Sequence, residues 1–201
     1  MNETNMNRLP VPTWNQCGVN AAPAAAALPG SAGDWGEANF AVTLPAGVGE
    51  SEEEFTAFAE SGMGSAVDAF LLENAAVRHA LTVAEGVAVA EPAVFEFTLD
   101  AAHPNVLSVL DVDVRANAHV TLVQVVRGDA ENGVAAGLVR IRAAEGAQVR
   151  LVQLQLLGSR ARRWNAVAVE ECTGARVEQV RIELGGSVSA CGTRALLDHP
   201  K

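Results

Sequence analysis

The sequence predicts a mainly β protein in which a right-handed parallel β-helix follows a small helical and extended N-terminal segment. Two observations favour this fold class. Five of the 27 valines lie in residues 1–76, whereas 22 lie between Val77 and Val188. Valine is stiff at its first side-chain torsion and packs well on pleated surfaces, so the second half is expected to be rich in strands. Turn-like sequences also recur in that half at a nearly constant spacing.

Length, charge and cysteine content limit the function classes. A chain of 201 residues suits one domain. The net charge of -10 argues against a nucleic-acid or anionic-membrane surface. No apolar run approaches the ~20 residues of a membrane-spanning helix, and the N-terminus lacks the features of a secretory signal. Three cysteines without a Cys-x-x-Cys pair predict neither a disulfide framework nor a zinc site. We therefore expect a cytoplasmic protein.

The first segment, residues 1–76, is expected to combine extended and helical structure. Leu9–Trp14 contains two prolines and is expected to be extended. Ser51–Glu54 has the pattern of a capping box and predicts a helix with Phe55 and Phe58 on one face. A second helix is expected at residues 68–76.

The remaining residues, 77–201, are expected to form the β-helix core, which we predict to be incomplete at its C-terminus. The central residues of successive turns are separated by 32, 28 and 28 positions. A fixed period of this size is typical of stacked repeats that contact mainly their neighbours. The turn-like triplets are Glu85-Gly86-Val87, Asn117-Ala118-His119, Glu145-Gly146-Ala147 and Thr173-Gly174-Ala175.

Each turn is followed by a change of phase in the apolar pattern. After the third turn, Val149 and Leu151 share one parity, and apolar residues from Val152 onward take the other. Since strand side chains alternate between two faces, we interpret this change as a bend that keeps both arms pointing inward. The interpretation places Val152 in the core, and it places Arg150, Gln153 and Gln155 on the outside, together with Arg181 and Glu183 of the next repeat.

A β-sandwich is the main structural alternative. Its turns usually come every 8–12 residues, and its core favours aromatic side chains. The chain has no tyrosine, and Trp164 is the single aromatic residue between positions 98 and 201. Both observations favour the β-helix.

No sequence motif predicts catalysis. The phosphate-binding Gly-x-x-x-x-Gly-Lys-Ser/Thr, the nucleophile motif Gly-x-Ser-x-Gly and the metal motif His-Glu-x-x-His are all absent. Asp111 and Asp113 share one strand face, but the intervening apolar residues are expected to face the core, so we interpret both acids as solvated. Cys172 lies at a turn and is interpreted as a buried apolar cysteine. We assign no catalytic residue and no metal ligand, and any cofactor-binding residue stays unknown.

Several short motifs resemble one family. Arg8–Trp14, followed by Val19-Asn20, is similar to the N-terminal signature of SufD-type proteins. Asp68-Ala69-Phe70, then Asn74-Ala75 and the Glu85–Val89 turn with Glu91-Pro92, resembles the family's entry into its core. The repeats after Val106 resemble the SufB/SufD core, which in that family is a right-handed parallel β-helix.

The resemblance implies a non-catalytic scaffold subunit of the Suf iron–sulfur cluster assembly machinery. It implies a SufB-like paralogue and a SufC-like ATPase as partners, and it allows a homodimer. Family members are about twice as long, and their docking helix and cluster-forming residues lie in the part absent here, so no site residue is transferred to Cys172 or Cys191. We expect no cofactor on this chain alone; a cluster or a flavin is implied only for the full family complex.

Two other functions remain open at this point. A structural or filament-forming β-helix is possible because an unpaired strand edge is a template for another chain. A polysaccharide-active β-helix enzyme is a third hypothesis, although the sequence shows few aromatic residues for sugar binding.

Overall fold

The computed structural model describes residues 38–51 and 54–197, together with two short strands at residues 5–6 and 22–23 that pair with each other. The expected extended segment Leu9–Trp14 and the motif that continues to Val19-Asn20 lie outside the described residues. The elements in chain order are β1 (Asn5–Met6), β2 (Ala22–Pro23), β3 (Asn39–Thr43), β4 (Val48–Glu50), α1 (Ser65–Asn74), β5 (Val77–Val83), β6 (Ala93–Leu99), β7 (Asn105–Val114), β8 (His119–Gly128), β9 (Val134–Ala143), β10 (Gln148–Leu157), β11 (Arg162–Glu171), β12 (Arg176–Glu183) and β13 (Val188–Leu197).

Strands β5 to β13 wind into a parallel β-solenoid of about four turns, which confirms the predicted β-helix fold. The odd-numbered strands from β5 to β13 form a six-stranded sheet with β4, in the order β13-β11-β9-β7-β5-β4. The even-numbered strands from β6 to β12 form a five-stranded sheet with β3, in the order β12-β10-β8-β6-β3. The pairing is parallel throughout the solenoid. At the N-terminal end, β3 and β4 pair antiparallel with β6 and β5 and cover the edges of both sheets.

The four predicted turns lie at one corner of the solenoid, where each odd strand passes into the following even strand. Gly86, Gly146 and Gly174 adopt positive φ angles of 71°, 68° and 70°, and Asn117 adopts 56°. Glycine and asparagine are the residues that tolerate this left-handed backbone conformation. The corner residues stack on one another, since the Gly86 N–H donates to Ala116 O and the Asn117 N–H donates to Glu145 O.

The predicted bend within each strand is wrong. Burial alternates without interruption along β10, so Gln153 faces the interior beside Leu151 and Val152 lies partly exposed on the outer face. Gln155 is also buried, whereas Arg150 is exposed as expected. The apolar pattern changes phase because, in the second half of the strand, polar side chains point into the interior and apolar side chains lie on the outer face. The strand itself stays straight.

Two apolar layers hold the solenoid together. The first fills its interior, between the two sheets. The second lies between α1 and the outer face of the six-stranded sheet, where Leu71 of α1 packs with Leu107, Leu138 and Trp164. The expected helix at residues 68–76 is confirmed as α1, which begins three residues earlier at Ser65. Within the part of the chain that the structure describes, no helix is long and apolar enough to cross a membrane.

The helix expected after Ser51 is not present at residues 54–62. We call these residues the strap, because they cross the outer face of the six-stranded sheet in irregular conformation. The Phe55 N–H donates to Asp111 Oδ2 at 2.9 Å, and the Ala59 N–H donates to Glu170 Oε1 at 3.1 Å. Carboxylates on the sheet therefore accept hydrogen bonds from N–H groups that would have been paired with backbone carbonyl groups in a helix.

Candidate functional site

A group of polar side chains lies inside the solenoid near β13. Strict alternation of side chains directs them inward from five strands of the two sheets, β8, β10, β11, β12 and β13. We call this group the interior polar cluster, and its members are Gln124, Gln153, Arg163, Asn165, Glu183 and Cys191. Further polar side chains, Gln179, Arg181, Ser189 and Thr193, contact it.

Arg163 carries a guanidinium that is buried to 3% exposure. It donates to Ala135 O at 3.4 Å, to Gln124 Oε1 at 3.2 Å and to Asn165 Oδ1 at 3.2 Å. All three acceptors are neutral. Burial lowers the pKa of Arg163, and the nearby Cys191 and Glu183 act in the opposite direction. A buried cation with neutral acceptors favours negative charge in its surroundings.

Gln153 connects the two sheets through its amide group. Its Nε2 donates to Gln124 Oε1 at 2.9 Å and to Asn165 Oδ1 at 3.0 Å. Its Oε1 accepts from Asn165 Nδ2 and from Gln179 Nε2, both at 2.9 Å. The buried amide is therefore fully paired, and it fixes the positions of the groups around Arg163.

Cys191 places a thiol at the edge of this cluster. Its Sγ donates to Glu183 Oε1 at 3.3 Å, and Ser189 Oγ donates to the other carboxylate oxygen of Glu183 at 2.8 Å. Burial raises the pKa of the Cys191 thiol, and the Glu183 carboxylate raises it further, while Arg181 opposes both effects. In this arrangement the thiol is held protonated, with a carboxylate in contact that can take its proton.

Arg181 brings a second guanidinium to the same region. Its Nη2 donates to Thr193 Oγ1 at 2.7 Å, and its buried Nε has no hydrogen-bond partner. Two guanidiniums near one thiol would stabilise an anionic sulfur species once the proton has left. Chemically, the cluster can hold a thiol, accept its proton and stabilise the resulting negative charge.

Asp111 is not solvated, which corrects the sequence interpretation. Its side chain is 2% exposed and accepts from Arg140 Nε and Nη2, each at 2.6 Å. Its neighbours do face the core, as expected, but the outer face on which Asp111 lies is covered by the strap. Asp113 extends beyond this cover and pairs with Arg115 at 2.9 Å.

Cys172 is exposed at the corner of the solenoid, so the expected burial of this thiol is wrong. Cys172 is the first residue after β11 and begins the turn, and residues of turns and loops lie at the surface. Among the described residues, no group of three or more histidine, cysteine, aspartate or glutamate side chains has an arrangement that could hold a metal ion.

Sequence reasoning missed the interior polar cluster because it assigned polar side chains to the outside. The alternation of side chains along each strand contained the signal needed to find this cluster. Gln124 has the parity of the core residues Val120 and Leu122, and Arg163 has the parity of the core residues Val167 and Val169. A prediction that kept the two-residue period would have placed both polar residues inside the solenoid.

Residues 97–201 match the family model described as SUF system FeS cluster assembly, SufBD core domain. This range starts in β6 and includes the whole interior polar cluster. No curated protein matches the chain. No solved structure matches it either.

Proposed function

The chain belongs to the SufBD family of iron–sulfur cluster assembly proteins, and from that membership we propose that it is a SufD-like scaffold subunit that acts with a SufB-like paralogue and a SufC-like ATPase. The family match covers the strands that carry the interior polar cluster. The SufD-like assignment and the two partners are supported by the resemblance of the opening motif, Arg8–Trp14 with Val19-Asn20, to SufD-type proteins.

The observation that carries the proposal is the position of Cys191 inside a family-matched solenoid. Cluster assembly requires sulfur to be held and passed on, and cysteine is the side chain that carries sulfur covalently. Cys191 lies beside Glu183 and near two guanidiniums, whereas Cys172 is exposed at a corner without such an environment.

The chemistry proposed for Cys191 is transfer of one sulfur atom from a persulfide donor. The Cys191 proton moves to Glu183, and the thiolate attacks the outer sulfur of the donor. The S–S bond of the donor breaks and its own sulfur leaves as a thiolate, which takes up the proton. Cys191 then carries a persulfide, and the donor is a thiol. The step needs no added oxidant or reductant, because the donor supplies sulfur that is already at the persulfide level.

The test treats the reduced protein with a small-molecule persulfide and measures intact mass and peptide mass. Wild-type protein and Cys172→Ser are expected to gain one sulfur atom at Cys191, and Cys191→Ser is expected to lose that product. Transfer to Cys172 alone, or none at Cys191 in folded protein, would refute the role of Cys191.

A separate experiment tests the scaffold assignment. Co-expression with a SufB-like paralogue and a SufC-like ATPase should give a complex that co-purifies on a tag carried by this chain. We expect the isolated chain to stay colourless after anaerobic treatment with iron and sulfide. Failure to bind either partner would contradict the proposed scaffold role.

A further inference from the structure

The strap crosses the outer face of the six-stranded sheet and reaches its last strand. At one end, Glu54 forms an ion pair with Arg78 of β5 at 3.1 Å. Near the other end, Glu60 forms an ion pair with Arg194 of β13 at 3.0 Å. Between them, two N–H groups of the strap donate to carboxylates of β7 and β11. The strap therefore connects the first strand of the solenoid to the last one.

An extra attachment has the largest effect on β13, because this strand lies at the edge of the sheet. Among the described residues, β13 pairs with a single strand, β11. Most of its side chains are exposed, whereas most side chains of β11 are buried. Segments with exposed backbone hydrogen bonds and few buried contacts open locally more often than the core does. We therefore expect the position of β13 to depend on the strap.

The strap meets β13 backbone to backbone at Gly62. Gly192 of β13 pairs in register with Ala166, which packs in the layer beneath α1, so Gly192 faces outward as well. A Cβ atom on Gly62 would lie 2.5 Å from the carbonyl carbon of Gly192 and 2.3 Å from the nitrogen of Thr193. Both distances are far shorter than a van der Waals contact. A side chain at residue 62 would therefore push the strap away from β13.

The two residues that flank Gly62 anchor this end of the strap. Ser61 donates its N–H to Asp68 Oδ2 at 2.6 Å and its hydroxyl to Asp68 Oδ1 at 2.5 Å. Met63 is 2% exposed and packs in the apolar layer between α1 and the sheet. Both anchors are buried, and both depend on α1. The position of Gly62 on β13 is therefore fixed from both sides.

Cys191 lies directly behind this contact, on the interior face of the same strand. It precedes Gly192 and pairs in register with Asn165, which is buried in the interior polar cluster. Its thiol contacts Glu183, which belongs to β12 and therefore to the other sheet. The contact between the thiol and the carboxylate thus depends on how closely β13 is held to the rest of the solenoid.

We propose that the end of the strap positions Cys191. Ser61 and Gly62 hold β13 against the solenoid, and in this way they keep the Cys191 thiol beside the Glu183 carboxylate. Both are positioning residues, because they contact α1 and the outer face of β13 and act on the thiol through that strand. The hold on β13 follows from the contacts above, whereas its consequence for sulfur transfer rests on the function proposed for Cys191.

The test measures the rate at which iodoacetamide alkylates Cys191 in the full chain, with peptide mass analysis reporting each cysteine separately. Cys172 is the internal reference, because it is exposed at a corner. Gly62→Ala should raise the ratio of the Cys191 rate to the Cys172 rate at least about fivefold, since β13 then opens more often. Gly49→Ala on β4 is the matched control: its Cβ would lie 3.8 Å from Thr82 O, an ordinary contact distance, and the ratio should not change.

The pH profile of alkylation separates positioning from exposure alone. Burial and the Glu183 carboxylate raise the pKa of Cys191, and Arg181 of β12 opposes them. Arg163 of β11 is the other charged group that faces this thiol. When β13 moves away, the thiol leaves both the interior and Glu183, so alkylation in Gly62→Ala should begin at lower pH than in wild type. A persulfide formed on Cys191 should also be removed faster by dithiothreitol in this variant.

A second variant keeps the test valid if Gly62→Ala fails to fold. Ser61→Ala removes one of the two hydrogen bonds to Asp68 without adding an atom, and it should change the alkylation ratio in the same direction. Hydrogen exchange should become faster in β13 and stay unchanged in the inner strand β9. An unchanged ratio in the folded variants, or exchange that accelerates equally in both strands, would overturn the positioning role. If the ratio rises as expected but wild-type Cys191 accepts no sulfur, the hold on β13 is supported and the sulfur-transfer function alone is refuted.

Discussion

Removing the Asp111 carboxylate should destabilise the protein more than removing the carboxylate of Asp113 on the same strand. Asp111 and Arg140 are 2% and 6% exposed, and they share two hydrogen bonds of 2.6 Å. The second oxygen of Asp111 also accepts the Phe55 N–H of the strap. Asp111→Ala therefore leaves a buried guanidinium without its counter-charge and the strap without one of its attachments.

The expected magnitude follows from these contacts. Breaking a buried ion pair by removing one partner costs about 3–5 kcal/mol. Arg140 keeps its bond to Phe55 O at 3.0 Å and its position near the ring of Phe58, so the lower end of the range is expected. A loss of about 3 kcal/mol lowers the melting temperature of a chain of this size by roughly 6–12 °C.

Asp113→Ala is the matched control, because Asp113 lies two residues further along the same face. Asp113 is 16% exposed, but its partner Arg115 is 58% exposed, and a pair whose cation reaches the solvent contributes about 1 kcal/mol. Urea unfolding should show a difference of at least about 2 kcal/mol between the two alanine variants. The double variant Asp111→Leu with Arg140→Leu should recover part of the loss, since no charge is then left buried. Equal stability of the two single variants would refute the buried-pair argument.

Two further predictions concern other buried polar groups. Gln153→Leu should cost about 3 kcal/mol or more, because the partners of this amide lose their hydrogen bonds in the interior. Arg150→Leu, on the exposed side of the same strand, should cost at most about 1 kcal/mol by urea unfolding; equal costs would contradict the facing of the two side chains. Burial raises the pKa of Asp68, whose carboxylate accepts two hydrogen bonds from Ser61. A raised folded-state pKa stabilises at low pH, so wild type should lose stability relative to Asp68→Asn as pH rises from the usual aspartate pKa through the folded value; a constant difference across that range would contradict it.

The winding of the chain was predictable because it depends on features that repeat locally. Valine enrichment after Val77 indicates strands, and each solenoid corner requires a residue that tolerates positive φ. Gly146 and Gly174 meet that requirement at a spacing of 28 residues. Each signal is contained within a few residues of the chain, and stacking then follows from the constant period.

The strap was not predictable in the same way. Ser51–Glu54 has the local pattern of a helix start, but the N–H groups of Phe55 and Ala59 are paired with carboxylates 56 and 111 residues away in sequence. Arg142 also lies 4.5 Å from the centre of the Phe55 ring. Such contacts depend on which side chains the folded sheet presents, and tertiary contacts can override a local helix signal.

The sequence analysis was wrong about which side chains point into the solenoid, and it was wrong for one physical reason. The assumption that apolar residues face inward turned the change of phase at Val152 into a bend, although an unbroken period of two accounts for the same residues. With the strand kept straight, Gln153 enters the interior, and Val152 lies on the outer face of the five-stranded sheet. The polar side chains inside the solenoid and the apolar side chains on this outer face are therefore two consequences of a single change of phase. Hydrophobic burial would normally select the other register, because a shift of one residue exchanges the two faces. The observed register is stabilised because Asn165 accepts hydrogen bonds from both Gln153 and Arg163 inside the solenoid, so these buried polar groups are paired.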